Sequence, residues 1–268
     1  MPAPEAGRPI AVFDSGIGGL SVLRALHAAL PAEDFIYFAD TAHAPDGEQD
    51  DAYVAGRSLQ IARTLLTEHR AKALVVACNT ATAAAIEAIR TEFPATPVVG
   101  IEPALKPATA LTRTGHVGVL ATRSTLQSDR FQALRQSLEG RTRFTCLPGD
   151  GLAEAIEQAT AGHDTTKMIA LCEALMRTLG DFGSKPGDMD VLVLGCTHYA
   201  FAWQHLQRLA GLDVALLEPG AAVARRTANL LLRGGLLDPY KASGNTQYLS
   251  SGDVMALQQV AARWLAAG

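Results

Sequence analysis

Two apolar runs of the chain each end at a cysteine that is followed at once by small polar residues. They read ALVVACNT over 73–80 and VLVLGCTH over 191–198. A continuous aliphatic run is typical of a strand that is buried on both faces of a parallel sheet. Ligands of open α/β sheets bind just beyond the carboxyl ends of such strands. The sequence therefore predicts that Cys78 and Cys196 each face a pocket.

Apolar strand patterns and amphipathic helical patterns alternate along most of the sequence. The predicted strands cover 9–13, 34–38, 73–77, 97–101, 116–121, 142–146, 190–194, 214–217 and 245–249. Helical patterns lie between most of them, and two of these patterns cover 126–139 and 200–210. This alternation predicts an α/β fold with mainly parallel sheets.

Segments of the first half of the chain are echoed in the same order further along. The strand and turn at 11–16 correspond to those at 118–122, and VVGIEP at 98–103 corresponds to ALLEP at 215–219. We therefore expect two similar lobes, related by an approximate twofold axis, with an active site in the cleft between them. The first lobe is predicted to comprise 1–99 plus 212–268, and the second 100–211.

The composition limits the classes of function. The 268 residues, of which 48% are hydrophobic, can form one large core or two modest ones. A net charge of −4 provides no basic surface, so nucleic acid is not an expected partner. No apolar run approaches the roughly 20 residues of a membrane span, and the N-terminus lacks a signal-peptide pattern. We expect a cytoplasmic protein that binds a small molecule and no membrane.

The sequence contains only weak signals for a metal or a cofactor. The four cysteines show no CxxC spacing, which argues against a zinc ribbon or a thioredoxin-like site. Cys146 and Cys172 are interpreted as structural, because a free cysteine usually packs as a small hydrophobic residue. The turn DSGIGG at 14–19 does not match GxGxxG, and none of the five lysines has the context of a Schiff base. We expect neither a metal nor a cofactor.

Two matched thiols suit the inversion of a carbon acid. Such a reaction removes a proton from one face of a carbon and returns a proton to the other face. Two residues of similar proton affinity on the two sides of the substrate carbon can exchange the roles of acid and base. Cys78 and Cys196 are the candidates for this pair.

Four motifs make the chain resemble the aspartate/glutamate racemase superfamily: FDSGIGGLSVL at 13–23, ACNTATA at 77–83, GIEPALKPA at 100–108 and GCTHYAF at 195–201. The resemblance spans nearly the whole chain. It implies two α/β lobes and a cofactor-independent site that interconverts L- and D-glutamate for peptidoglycan synthesis. A homodimer is compatible with this resemblance.

The resemblance also implies roles for individual residues. The catalytic set comprises Cys78 and Cys196 as acid/base groups, assisted by Asp14, His198 and Glu157. The substrate-binding set comprises Asp14, Ser15, Asp46, Gly47, Asn79, Thr80, Thr197 and His198. One departure is visible, since the superfamily usually has Pro-Tyr-Gly where this chain has Pro45-Asp46-Gly47.

Two alternatives remain open at the level of sequence. The chain could be a racemase of the same superfamily that acts on aspartate or a related carbon acid. It could also be a non-catalytic, two-lobed protein that binds an amino acid. Exchange of the α-proton with solvent separates the second alternative from an enzyme.

Overall fold

The computed structural model describes residues 5–44, 49–238 and 240–266. The chain forms two compact units. Unit 1 comprises Met1–Ile101 and Gly220–Gly268, and unit 2 comprises Glu102–Pro219. Each unit is an α/β structure around one parallel sheet.

Unit 1 contains a five-stranded parallel sheet in the order β4-β3-β1-β2-β9. Its strands are β1 (Ile10–Asp14), β2 (Phe35–Ala39), β3 (Ala73–Val76), β4 (Val98–Gly100) and β9 (Thr246–Ser250). Its helices are α1 (Leu20–Ala29), α2 (Asp51–Arg63), α3 (Asn79–Glu92), α10 (Gly220–Gly234) and α11 (Val254–Ala266), and a π-helical turn (Thr64–Glu68) extends α2.

The central strands of unit 1 are buried throughout. All residues of β1 and β3 are buried, as their continuous aliphatic composition predicts. One face of the sheet packs against α2 and α3, where Ala11, Phe13, Leu74 and Val76 join a single apolar cluster with residues of both helices. The sheet thereby fixes the carboxyl ends of β1 and β3 side by side.

Unit 2 contains a four-stranded parallel sheet in the order β6-β5-β7-β8. Its strands are β5 (His116–Ala121), β6 (Arg143–Pro148), β7 (Val191–Gly195) and β8 (Ala215–Leu217). Its helices are α4 (Leu105–Leu111), α5 (Arg123–Gln127), α6 (Asp129–Gln136), α7 (Leu152–Thr160), α8 (Thr166–Leu179) and α9 (Trp203–Ala210), with a 3₁₀ segment (Thr197–Ala202) before α9.

The sheet of unit 2 is covered on both faces by apolar side chains. Leu192 and Leu194 of β7 belong to a cluster with α7, α8 and α9, whereas Val191 and Val193 belong to a second cluster with α4 and α6. This alternation along one strand is what a central parallel strand requires. The fully buried β7 carries the chain directly to Cys196.

Four of the five strands in the unit 1 sheet have the same order as the four strands in the unit 2 sheet. Read from the same edge, β4-β3-β1-β2 of unit 1 corresponds to β8-β7-β5-β6 of unit 2. β3 and β7, which lead to the two cysteines, therefore hold equivalent positions. The predicted α/β class and the nine predicted strands are confirmed, and each sheet is parallel throughout.

The structure corrects two predicted helices and one boundary. The pattern at 126–139 forms two helices because Ser128 is extended and caps α6 by accepting a hydrogen bond from the Phe131 amide at 3.2 Å. The pattern at 200–210 begins as a 3₁₀ segment rather than an α-helix. Unit 2 also extends beyond the predicted border at 211, to Pro219, because β8 pairs with β7.

Two further properties concern the described part of the chain. None of its helices has the length and hydropathy needed to cross a membrane. All four cysteines are free thiols.

Candidate active site

Cys78 lies at the carboxyl end of β3 and at the start of α3. Its backbone is extended, and its sulfur accepts a hydrogen bond from the amide of Ala81 at 3.4 Å, so the side chain caps the helix. The thiol is nearly buried. The first turn of a helix presents unpaired amide groups and interacts favourably with negative charge. This position is suited to a sulfur that carries a thiolate during a reaction.

Asp14 is the last residue of the neighbouring strand β1, and Ser15 follows it at the same edge of the sheet. Both residues are buried, and the Asp14 carboxylate accepts a hydrogen bond from the Gly16 amide at 2.8 Å. The Ala77 amide donates to the Phe13 carbonyl at 2.7 Å, which joins the chain before Cys78 to the chain before Asp14. A carboxylate and a thiol are thereby brought to adjacent strand ends.

Asn79 is a buried polar residue of this sheet edge whose side chain makes no hydrogen bonds. Its side chain is 4% exposed, and neither the amide oxygen nor the amide nitrogen has a hydrogen-bond partner. A buried amide that lacks partners costs free energy. Thr80, the next residue, is buried as well. The first turn of α3 thus holds an amide group that a polar ligand can satisfy.

Cys196 occupies the corresponding position in unit 2, directly after β7. Its sulfur lies 3.8 Å from Nδ1 of His198, and Nε2 of His198 lies 2.6 Å from Oε1 of Glu157. The thiol, Thr197 and His198 are buried, whereas Glu157 on α7 is 28% exposed. The three side chains form a continuous hydrogen-bonded chain from a surface-accessible carboxylate to a buried sulfur.

The environment of His198 favours the imidazolium form. Burial of the ring opposes the positive charge, but the hydrogen bonds and charges of Cys196 and Glu157 outweigh it and raise the pKa of His198 well above its usual value. A protonated His198 can donate to the Cys196 sulfur through Nδ1 and to Glu157 through Nε2. The pair is therefore built to hold a proton beside the thiol.

Two tyrosines that sequence reasoning missed fix the backbone around these groups. Tyr37 donates its hydroxyl to the Gly16 carbonyl at 2.8 Å, and Tyr199 donates to the Gly149 carbonyl at 3.1 Å. Both side chains are fully buried. The only available signal was local, because Tyr199 directly follows the Cys-Thr-His motif. Nothing in the sequence connects Tyr37 to the turn at Gly16.

The other two cysteines lie in apolar settings. Cys172 is buried in the core of unit 2, where desolvation raises its pKa to about 11. Burial also raises the pKa of Cys146, although Arg135 acts in the opposite direction. Both thiols are thus poor sources of thiolate near neutral pH, in keeping with the structural interpretation.

The structure places most of the predicted site residues at two sheet edges. Unit 1 brings together Asp14, Ser15, Cys78, Asn79 and Thr80, and unit 2 brings together Glu157, Cys196, Thr197 and His198. Asp46 and Gly47 lie outside the described residues. Within 5–44, 49–238 and 240–266, no group of three or more His, Cys, Asp or Glu side chains is arranged to hold a metal ion.

These features define a class of protein. Each of two α/β units carries a buried thiol at the carboxyl end of the equivalent strand, with a carboxylate on the neighbouring strand in unit 1 and an imidazole–carboxylate pair in unit 2. Two buried thiols with polar groups beside them are the side chains that acid/base chemistry through sulfur requires.

Comparison with known proteins identifies the family to which the chain belongs. The family model of the Asp/Glu/hydantoin racemases matches residues 10–227. Glutamate racemase from Ralstonia nicotianae is 43% identical over 97% of this chain and 91% of its own length. A glutamate racemase isoform from Bacillus anthracis superposes with a TM-score of 0.85 at 28% identity, over 98% of this chain and 95% of that one.

A third relative has a bound substrate. Escherichia coli glutamate racemase, in complex with L-glutamate and an activator, superposes with a TM-score of 0.82 at 32% identity, over 96% of this chain and 95% of that one. The chain belongs to the Asp/Glu/hydantoin racemase family. It is a racemase, and therefore an isomerase.

Proposed function

We propose that the protein interconverts L- and D-glutamate and that Cys78 and Cys196 are its two acid/base groups. Relatives at more than 40% identity over nearly the full chain are glutamate racemases, which supports the choice of substrate. The equivalent placement of the two thiols, after β3 and after β7, supports the choice of residues. This equivalence is the observation on which the proposal chiefly rests.

The proposed cycle balances one proton on each side of the substrate. A thiolate removes the α-proton of one enantiomer and becomes a thiol, while the thiol of the other cysteine gives its proton to the opposite face of the carbon and becomes a thiolate. In the reverse direction the two cysteines exchange roles. Because the two enantiomers have equal energies in water, groups of similar proton affinity serve both directions equally well.

The side chain of Asn79 is evidence that the substrate binds at the sheet edge that carries Cys78. Its buried amide lacks partners, and a carboxylate oxygen or an ammonium group of an amino acid can satisfy one of its atoms. Ser15, Thr80 and Thr197 add hydroxyl groups at the two strand ends. In the proposed complex these groups bind and orient glutamate for proton transfer.

The electrostatic setting of Cys196 fits proton transfer. The imidazolium of His198 stabilises the thiolate at 3.8 Å, and Glu157 stabilises the imidazolium at 2.6 Å. In unit 1 the N-terminus of α3 stabilises the Cys78 thiolate, and the carboxylate of Asp14 receives or orients protons for Cys78. Without an electron-accepting cofactor, the carbanion is stabilised by the substrate's own ammonium group and by donors to its carboxylate.

We further propose that the reaction takes place in the cytoplasm and supplies D-glutamate for peptidoglycan. Four free thiols are typical of a protein in the reducing cytosol, which supports this compartment. The supply of D-glutamate to the cell wall follows from the resemblance to the aspartate/glutamate racemases.

Incubation in heavy water tests the proposal directly. Purified protein is supplied with each enantiomer of glutamate, and separately of aspartate, without added cofactor. We expect deuterium at the α-carbon of the opposite enantiomer of glutamate and little label in the remaining substrate at early times. Exchange with aspartate alone would replace glutamate as substrate, and binding without any exchange would indicate a non-catalytic binding protein.

A further inference from the structure

Tyr37 places a polar group in the middle of an apolar sheet. The residue lies on β2 opposite Val12 of β1, and its side chain is 0% exposed. A tyrosine hydroxyl at such a site needs a hydrogen-bond partner, because an unpaired one would cost free energy. The hydroxyl donates to the Gly16 carbonyl at 2.8 Å. The buried strand is thereby tied to the turn that leads into α1.

Gly16 is held through both of its backbone polar groups. Its carbonyl accepts from Tyr37, and its amide donates to Oδ1 of Asp14 at 2.8 Å. A single residue therefore links the tyrosine hydroxyl to the carboxylate. The two hydrogen bonds restrain the peptide planes on both sides of the Gly16 Cα, and with them the turn that carries the Asp14 carboxylate's partner.

Gly19 shows how closely these groups approach one another. A β-carbon added at Gly19 would lie 2.7 Å from Cβ of Asp14, 2.9 Å from the Tyr37 hydroxyl oxygen and 3.1 Å from Cβ of Ala77. Real β-carbons do not make contacts as short as the first two, so glycine is the residue that fits here. Asp14, Tyr37 and the residue before Cys78 thus meet at one point.

Unit 2 contains the same construction from different residues. Tyr199 donates to the Gly149 carbonyl, and a β-carbon added at Gly149 would lie 2.4 Å from the Tyr199 hydroxyl oxygen. The turn held in this way leads into α7, which carries Glu157 to His198. In both units, a buried tyrosine hydroxyl binds the carbonyl of a glycine in a turn; the unit 1 glycine also binds the Asp14 carboxylate, whereas the unit 2 turn leads into the helix that carries Glu157.

We propose that the Tyr37 hydroxyl is a positioning group for Asp14. The role rests on the proposed function, in which Asp14 assists Cys78. Proton transfer requires close and well-aligned donors and acceptors, and a displacement of about 1 Å can cost up to about 100-fold in rate. The hydrogen bond to Gly16 restricts the Asp14 carboxylate to one orientation without touching the substrate.

Removal of the hydroxyl tests this role. Tyr37→Phe is expected to lower kcat for glutamate by about tenfold, with KM changed by less than about threefold, because orientation and not binding is lost. Tyr248→Phe removes a hydroxyl from the adjacent strand β9 and is the matched control. It is expected to leave both constants unchanged. A folded Tyr37→Phe variant with the kcat of the parent protein would overturn the proposal.

A double-mutant cycle separates positioning from a general structural effect. If Tyr37 acts through Asp14, Tyr37→Phe causes no further loss of kcat in an Asp14→Ala background. Full additivity of the two losses would overturn the role, because additive effects indicate independent sites. Site-specific Tyr37→3-fluorotyrosine, which keeps the ring and changes the donor strength of its hydroxyl, is the second variant should Tyr37→Phe fail to fold. It is expected to change kcat in the parent background and not in the Asp14→Ala background, and an equal change in both would overturn the role.

The outcomes distinguish this inference from the proposed function. Absence of α-deuterium exchange in the parent protein would overturn the racemase proposal for glutamate, whatever Tyr37 does. Exchange by the parent protein, together with loss of activity in Asp14→Ala and none in a folded Tyr37→Phe variant, would overturn only the positioning role.

Discussion

Units 1 and 2 have the same strand order but surround their cysteines with different chemistry. Cys78 caps an α-helix of 14 residues and accepts a backbone amide hydrogen bond, whereas Cys196 precedes a 3₁₀ segment and contacts an imidazole. A backbone amide keeps its proton at every physiological pH, but an imidazolium can lose it. The comparison teaches that thiols at equivalent positions can be stabilised in different ways. The helix dipole of α3 acts on Cys78 at every pH, whereas the charge of His198 acts on Cys196 only while the imidazole is protonated.

The largest expected effect comes from removal of either thiol. Cys78→Ala and Cys196→Ala should each lower kcat in both directions by at least about 1000-fold, because each direction needs both groups. The measurement is racemisation of each enantiomer followed by polarimetry. Cys146→Ala and Cys172→Ala are the controls and should retain most of the activity. Turnover close to that of the parent protein in either of the first two variants would contradict a two-base reaction.

The second prediction concerns the Glu157–His198 pair beside Cys196 in unit 2. Glu157→Gln removes the charge that helps to raise the pKa of His198, so this pKa should fall towards its ordinary value. Since the imidazolium then loses its proton at lower pH, the basic limb of the kcat profile should move to lower pH. A decrease of about 10- to 100-fold in kcat is expected near neutral pH. Nuclear magnetic resonance of the His198 ring measures the pKa directly.

Glu154→Gln is the matched control for this variant, since Glu154 lies on the same helix and contacts Lys167 at the surface. An unchanged titration of His198 in Glu157→Gln would contradict the assigned role.

Kinetic isotope effects compare the two cysteines in the two directions of the reaction. With α-deuterated substrates, Glu157→Gln should increase the isotope effect on kcat/KM for the enantiomer whose proton Cys196 removes. Asp14→Asn should do the same for the opposite enantiomer.

The third prediction separates binding from folding at Asn79. Because the buried amide has no partner, Asn79→Ala should not lower the free energy of unfolding and can raise it. The same variant should raise KM for glutamate by about tenfold, since a hydrogen bond to the ligand is lost. Thermal unfolding and steady-state kinetics measure the two effects. A less stable variant with unchanged KM would make Asn79 a structural residue.

Much of the fold was readable from local sequence. The strands β3 and β7 are continuous aliphatic runs, and the small polar residues after each run mark the strand ends where the cysteines stand. The break between α5 and α6 was missed, although its signal is local, because Ser128 is a favourable N-cap residue. The end of unit 2 was not readable, since it depends on the pairing of β8 with β7.

The site was readable only in part, because its contacts join distant parts of the chain. The two cysteines follow from pattern, but the contact of His198 with Glu157 requires the packing of α7 against the 3₁₀ segment. The contact between Tyr37 and Gly16 likewise depends on the pairing of β1 with β2. The unpaired amide of Asn79 is visible only when all neighbouring groups are in place.

The two units differ at the opposite ends of β3 and β7 as well. Lys72 directly precedes β3 and is buried in an ion pair with Glu33, whose second oxygen accepts the Asp238 amide at 2.9 Å. Asp190 directly precedes β7, and its buried carboxylate has hydrogen bonds from the loop before β5 instead. Equivalent positions thus hold charges of opposite sign, and each charge is compensated by its own loop.

The smallest effect on catalysis is expected from Asp190→Asn. Burial opposes the charge of Asp190, but hydrogen bonds from Thr112 at 2.5 Å and from the Arg113 amide at 2.7 Å lower its pKa overall. A lowered pKa stabilises the folded state above the unfolded-state value of about 3.9, and this contribution is lost as pH falls through the folded-state pKa.

At neutral pH, Asp190→Asn should therefore reduce the free energy of unfolding by about 2 kcal/mol, because an amide replaces one acceptor oxygen with a donor. The difference from the parent protein should shrink as the pH falls below about 4. Urea unfolding over a pH series measures it, and Asp188→Asn, two positions earlier, is the control. The kcat should remain that of the parent protein, since Asp190 lies at the opposite end of β7 from Cys196. A loss of kcat without a loss of stability would show that the two ends of the strand are coupled.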